Sequence, residues 1–149
     1  MTLDTEVSSL KQVPLFREVE PSRLKLLAFT SERVHFEAGQ RFFSQGDAAD
    51  AAYLILEGEV AVLLEGPQGA VRLALLGADA LVGEMGILAD QPRSATVTAE
   101  TAATVLRIDR GVFLELLAQF PQIGIAVMRE LALRLEQTNQ QLARSTGAQ

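Results

Sequence analysis

The chain has 149 residues, of which 48% are hydrophobic and 5% aromatic, with no tryptophan, so one compact domain must build its core from Leu, Val, Ile and Ala. Its 13 Lys and Arg stand against 19 Asp and Glu, a net charge of −6, and no basic stripe of the kind that grips phosphate backbones interrupts that balance. The absence of cysteine excludes disulfides, zinc ribbons and thiol chemistry and makes a cytoplasmic site the default expectation.

The first residues, MTLDTEVSSLKQ, carry neither a basic flank nor a hydrophobic run, so they do not read as a signal peptide. No apolar stretch is long enough for a transmembrane helix, and no membrane contact is expected. Residues 5 to 29 read as short helices. LKQVPLF is broken at Pro14, and Pro21 opens a second helix with Leu24, Leu27 and Ala28 on one face.

At Ser31 the texture changes. RVHFEAG, QRFFSQGD, AYLILEG, EVAVLLEGPQG and AVRLALLGAD are short runs with partial alternation, each ended by a turn residue. Short strands with glycine turns predict an antiparallel sandwich or roll. GPQG between apolar runs is the clearest hairpin signal. ATVTA and ATVLRID add two further strands, Asp109 is placed to cap a helix over RGVFLELLAQF, and Pro121 opens a longer one, with STGAQ expected to fray. The expected architecture is therefore mainly β with flanking helices: an antiparallel β-roll (a double-stranded jelly roll) between N-terminal helices and two C-terminal helices. As one domain it divides into helices over 1–30, a roll over 31–108 and closing helices over 109–145.

Residues 81 to 97, LVGEMGILADQPRSATV, carry the chemistry. A core strand has no use for a carboxylate after a glycine, Gly83-Glu84, or for a guanidinium after a proline, Pro92-Arg93. A carboxylate accepts from a ribose hydroxyl or from backbone N–H groups. Gly83 permits a turn barred to other residues, and EMGILAD can form a helical turn or two. Guanidinium matches phosphate oxygens in a two-pronged geometry. Ser94 adds a hydroxyl donor, and small Ala95 lets a ligand come close. Such a loop suits a nucleotide with a single phosphate. The alternative is that Glu84 and Arg93 pair with each other at a loop surface.

These residues resemble the cyclic nucleotide-binding domain of the catabolite activator protein, kinase regulatory subunits and nucleotide-gated channels. That family's phosphate-binding cassette runs Phe-Gly-Glu-(Leu/Met)-(Ala/Gly)-Leu, a short gap, then Pro-Arg-(Ser/Thr/Ala)-Ala-(Thr/Ser)-Val. Gly83, Glu84, Met85, Gly86, Ile87, Leu88, Pro92, Arg93, Ser94, Ala95, Thr96 and Val97 fit it, while Val82 replaces the usual large apolar residue. The likeness extends over FEAGQRFFSQGDAADAAYLILEGEVAVLL and the closing helices. It implies that Glu84 accepts from the ribose 2′-hydroxyl. It further implies that Arg93 pairs with the cyclic phosphate, aided by Ser94 and by backbone N–H groups near Met85, Gly86 and Ala95, and that Val62 and Ala74 wall the base.

Met128, Leu131, Leu135, Thr138 and Leu142 fall at heptad spacing, as a helix packed on its own domain or as a homodimer seam. The resemblance places Thr138 and Asn139 where the catabolite activator branch touches the base. That branch carries a helix-turn-helix domain after this helix, and no residues for one follow here, so direct nucleic-acid binding is not expected.

The function the resemblance implies is a regulatory sensor that binds cAMP or cGMP, uses no metal, repositions its C-terminal helices and signals to an effector protein the sequence does not name. The resemblance also leans the base toward cAMP, since the catabolite activator branch has Ser at the position of Ser94 and takes cAMP. A nucleotide-independent dimerising or scaffold domain of the same fold is the alternative. Catalysis is not expected, because metal-dependent rolls need several ligands and the single histidine, His35, lies beside Phe36 in a strand. The proposed roles predict that Arg93→Ala weakens ligand binding and leaves the fold intact.

Overall fold

The computed structural model describes residues 3–147, with side chains placed through residue 143. Three helical pieces open the chain: α1 (Leu3–Gln12), a 3-10 turn (Pro14–Phe16) and α2 (Pro21–Thr30). Pro21 sits in the first turn of α2, where its missing N–H costs nothing, and Leu24, Leu27 and Ala28 are buried together as the spacing predicts. The strands are β1 (Glu32–Phe36), β2 (Arg41–Phe43), β3 (Ala51–Glu57), β4 (Val60–Gly66), β5 (Gly69–Leu76), β6 (Leu81–Val82), β7 (Thr96–Ala99) and β8 (Ala103–Asp109). The short helix α3 (Glu84–Ala89) separates β6 from β7, and α4 (Arg110–Gln119) and α5 (Pro121–Gly147) close the chain.

Two four-stranded sheets face each other, in the orders β1-β8-β3-β6 and β2-β7-β4-β5, and every pairing is antiparallel. The expected β-roll with flanking helices is the fold observed. GPQG is a hairpin turn, with Gly66 opposite Gly69 in the β4–β5 ladder. Asp109 caps α4 by accepting from Gly111 N at 3.0 Å.

Side-chain period 2 explains how three layers cohere. On β3, Ala52, Leu54 and Leu56 face a core shared with α1, α2, α4 and the start of α5, whereas Ala51, Tyr53 and Ile55 face the second sheet. β8 divides in the same way, Leu106 and Ile108 against Ala103 and Val105. Both strands are covered on two sides, which is why AYLILEG reads as a continuous apolar run. Half of the few aromatics gather between the sheets, Phe36 stacked on Phe42 at 4.0 Å and Phe42 edge-on to Tyr53 at 5.3 Å.

One boundary differs from expectation. Ser145 to Gly147, expected to fray, continue α5. Arg144, Ser145 and Thr146 include neither glycine nor proline, so nothing stops the helix until Gly147. The last two residues of STGAQ lie outside the described residues.

Candidate functional site

The stretch 81–97 links the two cores. Val82, at the end of β6, packs between the sheets, and Ile87 on α3 packs in the helical core. Gly83 makes the turn between them at φ 86°, the left-handed region that a Cβ disfavours. A Cβ on Gly83 would lie 2.7 Å from Arg93 Nη1, and one on Gly86 would lie 2.8 Å from the Ala49 Cβ. Both glycines are thus demanded by close packing around Arg93 and the β2–β3 connection.

Arg93 is 3% exposed. Its Nη1 donates to Gly83 O at 2.6 Å and its Nη2 to Ala51 O at 2.5 Å, while Nη2 lies 3.4 Å from Asp50 Oδ1. The guanidinium stacks over the Phe43 ring, 3.9 Å from its centroid. Its backbone is held as firmly, Arg93 N donating to Asp47 O and Arg93 O accepting from Gly46 N. Burial lowers its pKa, and Asp50 opposes that shift. Nε is buried with no hydrogen-bond partner in the protein, an unmet donor on a buried cation.

Glu84, 8% exposed, opens α3. Burial raises its carboxyl above the usual range, and its own backbone N–H and then Arg134 oppose that rise. Oε1 lies 3.8 Å from Arg134 Nη2, and Oε2 is buried without a partner. The ion partner of Glu84 is Arg134 and those of Arg93 lie at Asp50, so the two cassette charges do not neutralise each other at a loop surface.

A cavity of about 120 Å³ adjoins Glu84, lined by Val13, Pro14, Leu15, Leu81, Glu130 and Arg134 among others. A larger one, about 280 Å³, lies between α2 and α4, and no cassette residue lines it. The chemistry of the buried charges, rather than cavity size, marks the site.

The remaining expected residues divide. Met85 and Ala95 are half-buried around the same turn, and Ser94 is exposed next to Arg93. Val62 and Ala74 are register partners on β4 and β5, with Val97 flanking Val62 on β7. Thr138 and Asn139 are exposed on α5, outside the cavity at Glu84, with the Thr138 hydroxyl donating to Arg134 O at 3.0 Å. Sequence reasoning missed Arg134. Its signal was helical spacing, since it sits four residues before Thr138 on the same face. Among the described residues no group of His, Cys, Asp and Glu could hold a metal ion, and no single helix is long and apolar enough to cross a bilayer. The heptad residues Met128, Leu131, Leu135 and Leu142 are exposed on α5.

The sequence profile described as "Cyclic nucleotide-binding domain" matches residues 33–120, more than half of the chain and all of the cassette. The chain belongs to that family. It is 31% identical over 135 residues, 90% of its length, to the CRP-like cAMP-activated global transcriptional regulator of Mycobacterium tuberculosis, and it spans 60% of that protein. Among solved structures, the catabolite activator protein of Thermus thermophilus superposes with a TM-score of 0.80 at 30% identity, over 89% of this chain and 63% of that one. A cyclic nucleotide-binding-like protein from Brucella abortus gives 0.68 at 35% identity, over 76% and 97%. The chain therefore covers less than two thirds of the transcriptional regulators it resembles.

Proposed function

We propose that this chain is a regulatory module that binds a cyclic nucleotide, cAMP in preference to cGMP, and reports occupancy through α5. The observation that carries the reading is the pair of unmet polar atoms in the cassette, Arg93 Nε and Glu84 Oε2. A buried donor on a cation and a buried acceptor on a carboxylate each cost stability when unpaired. A ligand presenting an anion and a hydroxyl satisfies both. The cyclic phosphate takes Arg93, with help from Ser94 and backbone N–H groups near Met85, Gly86 and Ala95. The ribose 2′-hydroxyl donates to Glu84. Val62 and Ala74 meet the base, and Thr138 and Asn139 meet it only when α5 lies over the roll.

The cavity at Glu84, about 120 Å³, is below the roughly 300 Å³ at which ligand pockets begin. Binding therefore requires α5 to shift, and Arg134 to yield Glu84. Ile87 on α3 shares the helical core with Phe113 of α4 and Ile123 of α5, which supplies a packed route from cassette to closing helices. The ligand acts by favouring one α5 position over another, so its effect equals its difference in affinity for the two. The exposed heptad residues on α5 support a homodimer seam, and an effector protein reads the dimer or lid surface. The role is binding rather than catalysis.

The deciding experiment is mass spectrometry of small molecules released from purified protein, followed by calorimetric titration with cAMP and cGMP. Saturable heat and a raised melting temperature are the expected results. No heat and no thermal shift at millimolar nucleotide would leave the same fold as a dimerising scaffold.

A further inference from the structure

Arg134 is shared. Its Nη2 lies 3.0 Å from Glu130 Oε1, one turn earlier on α5, and 3.8 Å from Glu84 Oε1 on the cassette. The first separation is a hydrogen bond and the second is too long for one. Both carboxylates and the guanidinium line the same cavity, with Asp79 from the β5–β6 turn also on its wall. On a helix, a Glu–Arg pair at this spacing is ordinarily a solvated contact. Here a third group competes: the buried Glu84 carboxylate, one oxygen of which has no partner.

We propose that Glu130 sets how tightly α5 closes on the cassette, by competing with Glu84 for Arg134. With Glu130 charged, the guanidinium is held on its own helix and the cross-link to Glu84 stays loose. Glu130→Gln keeps the size of the side chain and removes the charge. Arg134 then turns its full charge to Glu84, and α5 seats more firmly. Since the reading above makes Glu84 the ribose acceptor, a firmer seat opposes the ligand, and by linkage Glu130 determines affinity without touching the nucleotide.

The test uses the full chain with E130Q, R134M and the double variant. In ligand-free protein, amide exchange across residues 121–135 reports the seating of α5. E130Q is expected to raise protection about two- to five-fold, the range of a partly exposed ion pair. R134M lowers it, and the double variant matches R134M. If Glu130 merely supported its helix, E130Q would lower protection, and that sign overturns the proposal. So does an equal effect of E130Q with and without Arg134. In titrations with cAMP, E130Q is expected to bind about two- to five-fold more weakly than wild type, again only while Arg134 is present. Should wild type bind neither cAMP nor cGMP, the ligand assignment fails, and the exchange results still decide the role of Glu130.

Discussion

Arg93→Ala separates two jobs that one side chain performs. The guanidinium is buried, and it bridges Gly83 O and Ala51 O, so it ties the cassette to the start of β3. The expectation that its removal spares the fold does not survive that geometry. Truncation leaves two carbonyls short of a donor, at about 1–3 kcal/mol each where burial is complete. It also removes the stacking on Phe43, about 0.5–2 kcal/mol. Relief of a desolvated charge offsets part of this, since burial already disfavours the cation. A net loss of about 2–4 kcal/mol follows, which for a chain of this size lowers the melting temperature by roughly 5–15 °C. Loss of the phosphate partner costs ligand binding a further 2–5 kcal/mol or so, tens- to thousands-fold. Arg93→Lys keeps a charge but cannot span both carbonyls and an anion, so it falls between wild type and Ala in both measurements. Calorimetric melting and cAMP titration of the three proteins read the two jobs independently. A melting temperature within about 1 °C of wild type in Arg93→Ala refutes the structural tie. Unchanged affinity refutes the cassette assignment.

Glu84→Gln is expected to weaken cAMP binding less than Arg93→Ala, because an amide oxygen still accepts. It also changes stability with a definite sign. Burial raises the carboxyl's pKa in the native state, so folding favours the protonated form, and that stability is lost as pH rises through the raised value. The variant should melt higher than wild type at pH 7, by about 2–4 °C if 1 kcal/mol is relieved, with the gap closing below the usual carboxylate range; a gap independent of pH contradicts the cause. Gly83→Ala must hold φ near 86° and place a Cβ 2.7 Å from Arg93 Nη1. Strain of about 1–3 kcal/mol and a marked loss of cAMP affinity are expected with no charge removed, and normal affinity means the guanidinium need not stay where it lies. Leu135→Lys alters an exposed position, so sedimentation should show a dimer become monomer at little cost in melting temperature, and a persisting dimer places the seam elsewhere.

What the sequence made legible is what depends on local chemistry. Pro21 and Asp109 start helices for reasons held within a few residues, and the GPQG turn sets the register of β4 against β5. Glu84 and Arg93 stood out because a charge in an apolar stretch needs a reason. The partners of Arg93 were not legible, because they are backbone carbonyls, which every residue carries, and only the return of β3 past the cassette brings Ala51 O within reach. Arg134 was hidden differently. Its side chain is an ordinary helical cation until α5 crosses the 3-10 turn and sets it beside Glu84.

That crossing covers the Glu84 end of the cassette, while β3 and Phe43 enclose Arg93. A roll built for stability alone would put apolar residues at positions 84 and 93, since neither charge meets all its hydrogen-bonding capacity there. Their cost is local, and it falls on the one segment whose Val82 belongs to the core between the sheets and whose Ile87 belongs to the core beneath the helices. Whatever satisfies Arg93 and Glu84 therefore acts on both cores at once. The inter-sheet core is bounded by hydrogen-bonded ladders and can yield little. The helical core holds α5 by Ile123, Ala126 and Val127, whereas from Leu131 to Ala143 that helix is exposed. Movement should accordingly be borne by α5, whose residues from Leu131 to Ala143 are exposed, while the sheets stay fixed.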